Sequence, residues 1–447
     1  MVVPRPLVLM LCALLALAPL PFGLVSTLSQ AGFFVAASLL ACGTAAWLLQ
    51  SRRLPVPIGR LKFEASLFVL LLLWVLLQLL PMPGIAHPVW SEAAEALGVE
   101  TAGRISLAPD LTLEALLRLL GYGALFWAVL QIGRDRKAAF WLLAAIAAIS
   151  LTYAVYGLVM TLGGFNLILW YETDRPAQSV IATFVNRNNY ATYAGIGAIA
   201  TAALLGARVG TPGGQGRVAR VAFLRRLLAD GLLLIGALVV ILTALLLTGS
   251  RGGFGAMVLA LFLLGALAWL RLSRGTRGRV GALLLALLPL PFVFGLSGER
   301  VIARLLETNI DQEGRLAAFS AAIRAIADAP WTGFGYGAFA DAFQLYRDSS
   351  IRYWFDRLHN DWLEAIFGLG IPAAILLFLL LSSLTLRCLI GLFRRRRDAA
   401  YPAAAVATSV LVGVHALTDF SLQLPAVTAT WLVLLALGVA QSWRSGA

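Results

Sequence analysis

Charge, cysteine and histidine are all scarce in this chain. Only 13% of its 447 residues are Asp, Glu, Lys or Arg, and 60% are apolar, whereas a soluble domain devotes about a quarter of its residues to charge. Apolar runs such as Gly231–Thr248 and Phe254–Leu270 recur along the whole sequence, each near the roughly 20 residues that a bilayer-spanning helix needs. No stretch remains for a separate soluble domain. The three cysteines, Cys12, Cys42 and Cys388, lie in apolar runs and form no CxxC pair. That spacing excludes a zinc ribbon or a disulfide framework and suits small buried hydrophobes. Apart from ends and loops, no Asp, Glu, Lys or Arg is expected in the middle of a span, which disfavours an ion-coupled carrier, because such carriers place ionisable residues at the bilayer midplane.

What charge there is follows a pattern. The net charge of +13 could suggest nucleic acid, but the basic residues cluster in short linkers such as Arg217–Arg226, Arg271–Arg279 and Arg394–Arg397. The acids fall in the alternate linkers, all but Glu64, Asp135, Asp230 and Asp398. This is the positive-inside pattern of a polytopic membrane protein, not a nucleic-acid surface. About twelve spans are expected, near 7–25, 31–50, 65–80, 115–133, 138–163, 188–207, 228–248, 253–270, 280–296, 362–386, 401–418 and 425–442. The first, Arg5 followed by Leu7–Leu20, lacks a signal-peptide cleavage site and reads as a span. The expected architecture is therefore a single all-α membrane domain, 1–447, with both termini cytoplasmic. Its longest external loop, 297–361, is inserted between the ninth and tenth spans and carries a helix over Gly314–Ala329, stopped by Pro330.

Polar chemistry concentrates on the external side. Arg251 sits in the five-residue turn Gly249–Gly253, where glycines let backbone N–H groups approach a phosphate and a guanidinium binds its oxygens in bidentate fashion. The alternative is an arginine that snorkels to the interface. Arg315 opens the loop helix, where the dipole favours anions and not cations; a nearby phosphate, or a partner in Asp311 or Glu313, would account for it. His359 precedes a capping sequence in which either Asp361 with Glu364, or Asn360, begins the tenth span. A helix N-terminus keeps an imidazole neutral, so His359 is a candidate general base for a hydroxyl nucleophile. His87 and His415 are weaker candidates, His415 and Asp419 being placed to line the same cavity. Gly333–Gly337 lacks nucleotide-loop spacing and reads as a flexible turn. Tyr346, Tyr353, Trp354 and Trp362 suit an interfacial belt or sugar stacking.

Four segments together are similar to one family. Thr248-Gly-Ser-Arg251-Gly-Gly resembles the T-x-S-R-G-G turn of the O-antigen ligase and O-antigen polymerase-like membrane glycosyltransferases. Asp328-Ala-Pro330-Trp-Thr-Gly333-Phe-Gly335 resembles their D-x-P-x-x-G-x-G stretch, introduced by an arginine at the place of Arg315. His359-Asn360-Asp361-Trp362-Leu363-Glu364 resembles H-N-D/E-Y/F-L-E/Q, and Phe184-Val-Asn186-Arg-Asn188-Asn189-Tyr-Ala resembles the F-x-N-x-N-x-x-A segment that opens a middle span. The resemblance implies a GT-C-like fold and metal-independent, inverting transfer at the periplasmic face of the bacterial inner membrane, with no cofactor. The implied donor is a glycan on undecaprenyl diphosphate and the acceptor is lipid A–core or a growing glycan. Arg251 and Arg315 would hold the diphosphate, His359 would activate the acceptor, and Asn186, Asn188, Asn360 and His415 would contact substrate. A ligase, a polymerase, a flippase and a non-catalytic scaffold differ in what their variants should do.

Overall fold

The computed structural model describes residues 3–52, 58–173, 178–209, 221–222, 225–272, 310–349, 351, 354–395 and 398–443. It is almost wholly helical; its one sheet is a two-stranded hairpin, β1 Leu167–Ile168 with β2 Tyr171–Glu172. The first half comprises α1 Arg5–Leu17, α2 Thr27–Gln50, α3 Lys62–Leu79, the short amphipathic α4 Val89–Leu97, α5 Pro109–Ile132 and α6 Arg136–Leu162. Then come α7 Arg187–Val209, α8 Leu232–Leu247 (preceded by a π-helical turn), α9 Arg251–Leu272 and α10 Ile310–Asp328. The C-terminal set is α11 Asp361–Leu369, α12 Ile371–Arg394, α13 Ala400–His415 and α14 Pro425–Ala440. Seven of these are long and apolar enough to cross a membrane, and α1, α8, α13 and α14 are shorter apolar helices. The expected span 280–296 lies outside the described residues, as does the start of the long loop.

Burial places the helices in a bundle. Every residue of α14 is buried, and α7 is buried along most of its length, so these two form the centre. Outward positions on the surrounding helices carry Leu28, Leu49, Leu233 and Leu386, all exposed; apolar residues all round a helix are the mark of a lipid-facing bundle. One end collects the cations. There Arg395 donates to the Gln441 carbonyl at 2.6 Å, Gln441 Nε2 donates to Gly133 O at 2.6 Å, and Arg136 pairs with Asp398 at 2.8 Å. Arg208 lies over the Phe140 ring at 4.5 Å.

The segment expected as one span, 362–386, is two helices. Gly370 adopts φ +75° and Pro372 follows, which ends α11 and restarts the chain as α12. Breaking a helix inside a bundle orphans its last carbonyls, and the long loop takes them up. Phe334 N donates to Phe367 O at 3.1 Å, Gly335 N to Gly368 O at 3.0 Å, and Trp74 Nε1 to Leu369 O at 2.9 Å. Gln78, fully buried in α3, closes the arrangement: its Nε2 donates to Thr332 O and Gly368 O, both at 2.9 Å, and its Oε1 accepts from Tyr336 N at 3.0 Å. The turn Gly333–Gly337 is therefore a docked element, not a flexible one. Its glycines have φ of +62°, +104° and +92°, and a Cβ on Gly333 would strike the Gly370 backbone. Beyond it, α10, the turn and residues 339–358 share their own buried cluster, including Ala318, Ala322, Phe334, Phe343 and Phe367. Thus α10 is fastened to α11.

Candidate active site

At the end of the bundle opposite the cations, three helix starts and one connector meet. The first start is that of α9. Thr248 ends α8, Gly249 turns the chain at φ +65°, and Ser250 caps α9 by accepting from Gly253 N at 3.2 Å. The expected five-residue turn is thus only Gly249–Ser250 wide, and Arg251, Gly252 and Gly253 form the first turn of α9. The glycines are required by a neighbour. A Cβ on Gly252 would lie 2.6 Å from Thr418 Oγ1 and 3.2 Å from His415 Nε2, and one on Gly253 would lie 3.3 Å from His415 Cε1. His415, buried at the end of α13, therefore packs directly beneath the turn that carries Arg251.

The second start is that of α7. Asn186 caps it, its Oδ1 accepting from Asn188 N at 2.7 Å. Asn188 Nδ2 donates to Asp419 Oδ1 at 3.2 Å. Asp419, wholly buried in the α13–α14 connector, accepts from Ser421 Oγ at 2.6 Å; Ser421 is bonded to Thr192 Oγ1 at 2.8 Å, and Thr192 to His415 Nδ1 at 2.6 Å. Ser421 Oγ also lies 3.2 Å from Asn189 Oδ1, and Thr192 Oγ1 lies 3.3 Å from Asn188 O, so each hydroxyl, with one proton to give, has more than one acceptor in reach. His415 Nε2 faces Gly252. The charges of Asp419 and Arg315 both act on this ring.

The third start is that of α11. Asn360 is its N-cap, Oδ1 accepting from Leu363 N at 3.0 Å. Of the two capping schemes open to the sequence, the Asn360 one forms. Asp361 instead anchors the connector, accepting from Leu422 N at 3.0 Å and Gln423 Nε2 at 3.3 Å, and Glu364 accepts from Leu358 N at 2.8 Å. His359 stands just before the cap at φ +59°, a left-handed conformation uncommon for residues other than glycine, although histidine is among those that adopt it more readily. Its ring meets Phe420 of the connector edge-on, centroids 4.7 Å apart. Its Nδ1 lies 3.1 Å from Arg357 O; a carbonyl only accepts, so Nδ1 carries the proton and Nε2 is free to take one. Burial, then the Arg315 guanidinium, hold this imidazole below its ordinary pKa, with Asp419 opposing.

Arg315 reaches the cluster from α10, half-buried and close enough for its charge to act on both His359 and His415. The structure thus brings Arg251, Arg315, His359, Asn188 and His415 around one connector, residues 416–423, while the side-chain oxygens of Asn186 and Asn360 serve as helix caps. It does not bring His87 there. His87 accepts from Val89 N at 3.2 Å, capping α4, and its ring lies 5.5 Å from Phe334. Of the aromatic candidates, Trp362 donates to Gly413 O at 2.8 Å and Tyr346 to Asp328 at 2.9 Å; Trp354 is exposed, and Tyr353 lies outside the described residues. Sequence reasoning missed Thr192, Ser421 and Gln78, and gave no role to Asn189, whose Oδ1 lies 3.2 Å from Ser421 Oγ. The one signal for them was a polar residue in an otherwise apolar run. It also missed Arg118, which α5, starting earlier than expected, carries nine residues inside the helix.

No curated protein matches the chain. Residues 236–378 match the model of the O-antigen ligase family, a stretch that holds Arg251, Arg315 and His359 together with the docked glycine turn. That match makes about a third of the chain similar to the O-antigen ligase family, within a bundle that has seven helices long and apolar enough to cross a membrane among its described residues.

Proposed function

We propose that this protein transfers a glycan from undecaprenyl diphosphate to an acceptor hydroxyl at the periplasmic face of the bacterial inner membrane, with lipid A–core as the acceptor. The observation that carries the reading is the meeting of one imidazole, His359, with two arginines in the first turns of separate helices, around a connector that contains a buried carboxylate, Asp419. Inverting transfer without a metal needs two things of a protein: cationic donors on the leaving diphosphate and a base for the acceptor. Arg315 and Arg251 supply the first. His359, with Nδ1–H engaged by Arg357 O and Nε2 open, supplies the second.

The step runs as follows. The acceptor oxygen attacks the anomeric carbon as His359 Nε2 takes its proton. The carbon–oxygen bond to the diphosphate breaks, and its electron pair stays on the phosphate oxygen, whose charge the guanidiniums balance. Asn188 and His415 line the diphosphate side. The basic end of the bundle, with Arg136, Arg208, Arg271 and Arg395, suits the cytoplasm by the positive-inside rule, which supports the reading that both termini are cytoplasmic and that the cluster faces the periplasm. A flippase would carry its charges in a central cavity; the site groups here sit at one end.

The test is complementation of a strain lacking this protein with wild type or with Arg251→Ala, Arg315→Ala or His359→Ala at matched membrane levels. The expected loss for His359→Ala is roughly 100-fold or more, the usual worth of a positioned base. Full-length glycans accumulating on the lipid carrier identify a ligase, and single repeat units a polymerase. Wild-type transfer by all three variants would leave only a scaffold.

A further inference from the structure

Two adjoining cavities make one amphiphile-shaped space that starts beside the connector, at Tyr336 and Leu422, and runs to the cationic end of the bundle. The larger, about 310 Å³, is an apolar groove between α3, α5, α12 and α14. Along α5 it runs from Leu119 to Leu130, a rise of about 16 Å at 1.5 Å per residue and close to half the ~30 Å hydrocarbon thickness of a bilayer. It is the length of one leaflet. The smaller, about 110 Å³, lies at the cationic end between α12 and α14, lined by Arg387, Arg394, Ser442 and Trp443 among others.

The two are joined by an ion pair. Glu64, 4% exposed, lines the groove and binds Arg387 through both carboxylate oxygens, Nη2 to Oε2 at 3.0 Å. Along α12, Leu377, Leu380, Leu381 and Leu384 line the groove and Arg387, Gly391 and Arg394 the basic cavity. This three-and-four spacing lies on one helix face. Glu64 neutralises Arg387. Arg394 and Arg60 have no carboxylate within salt-bridge distance among the described residues, and Arg60 stands 5.9 Å over the Trp443 ring at the cavity wall. A basic pocket between membrane helices, opening onto an apolar groove of one leaflet's depth, matches an anionic lipid and not a soluble anion.

We infer that this site holds a resident anionic glycerophospholipid, its phosphate among Arg60, Arg387 and Arg394 and one acyl chain in the groove. The phosphate pocket lies at the end of the groove opposite the connector, so the phospholipid's headgroup sits among Arg387 and Arg394, whereas a donor's diphosphate would sit at the Leu422 end.

The experiment is binding of phosphatidylglycerol and phosphatidylcholine to the purified full-length protein by native mass spectrometry. The expected result is one phosphatidylglycerol retained at least tenfold more tightly than phosphatidylcholine. The double variant Arg60→Gln/Arg394→Gln is expected to weaken it roughly 30-fold, two cations' worth at a membrane surface. Leu381→Trp, which fills the groove, weakens it as well, while Lys137→Gln, an exposed cation at the same end, leaves it unchanged. Soluble glycerol phosphate does not compete. Equal retention of the two lipids, or displacement by glycerol phosphate, overturns the proposal. So does unchanged binding in the double variant. If the double variant also melts lower in phosphatidylcholine, Leu381→Trp decides by the same criterion. Bound undecaprenyl phosphate in place of phospholipid would overturn it too and assign the groove to the donor.

Discussion

Gln78 is the residue on which the arrangement of α10 and α11 most directly depends. Its side chain serves three buried backbone groups: Thr332 O, Gly368 O and Tyr336 N. Replacing it with the near-isosteric Met removes all three bonds without opening a large cavity. Gly368 O keeps Gly335 N as a donor, so two groups lose the partner that Gln78 gives them. At about 1–3 kcal/mol for each buried polar group left without a partner, the docked turn loses about 3 kcal/mol. At 1.4 kcal/mol per tenfold, that is roughly 100-fold in the equilibrium for local opening. Hydrogen exchange of the amides of Phe334, Gly335 and Tyr336 in purified Gln78→Met protein reads it directly, because exchange of such groups reports local opening. The expected outcome is faster exchange over 332–337 with α6 and α7 unchanged. A change under about threefold would mean that the turn is held by its aromatic cluster and not by Gln78, and the reasoning would fail.

Three further outcomes are expected. Burial and Arg315 both disfavour the His359 imidazolium, so transfer should hold from neutral pH down through 6.5 and fall only below it. Arg315→Gln removes one of those two causes, and its residual activity should lose its acid limb at higher pH than wild type; a limb that stays put or moves lower refutes the coupling. The same depression means that folded-state stability is present above the unfolded pKa and declines as pH falls through the lower folded value. Asp419→Asn puts an amide where one carboxylate oxygen accepts from Ser421 and the other from Asn188. Both charge-assisted bonds become neutral ones, with Ser421 turning its proton to Asn189 Oδ1, and a melting curve should show a loss of about 1 kcal/mol; no loss would show that the carboxylate's charge is not what holds the connector. Gly252→Ala drives a methyl against Thr418 Oγ1 and should impair glycan transfer, whereas Gly255→Ala, which meets nothing within 4 Å, should leave it intact; equal effects would show that the helix, not the close approach to His415, sets the glycine requirement.

Much of the architecture could be read before any coordinates. Apolar run length and the alternation of Arg-rich with Asp-rich linkers determine a polytopic helical bundle, because span length and charge side are properties of local sequence against a bilayer. The T-x-S-R-G-G, D-x-P-x-x-G-x-G and H-N-D segments likewise marked Arg251, Arg315 and His359, since each chemistry needs a particular residue at a turn or helix start. Tertiary structure alone decided the rest. Gly370 splits α11 from α12 because backbone N–H groups of a distant loop donate to the orphaned carbonyls. The same docking turns Gly333–Gly337 from a turn of free glycines into a clamp. The order Asp419, Ser421, Thr192, His415 joins α7 to the connector across more than 220 residues of chain. No local pattern announces a hydrogen bond between positions that far apart; only the packing of the bundle brings those polar atoms to one place.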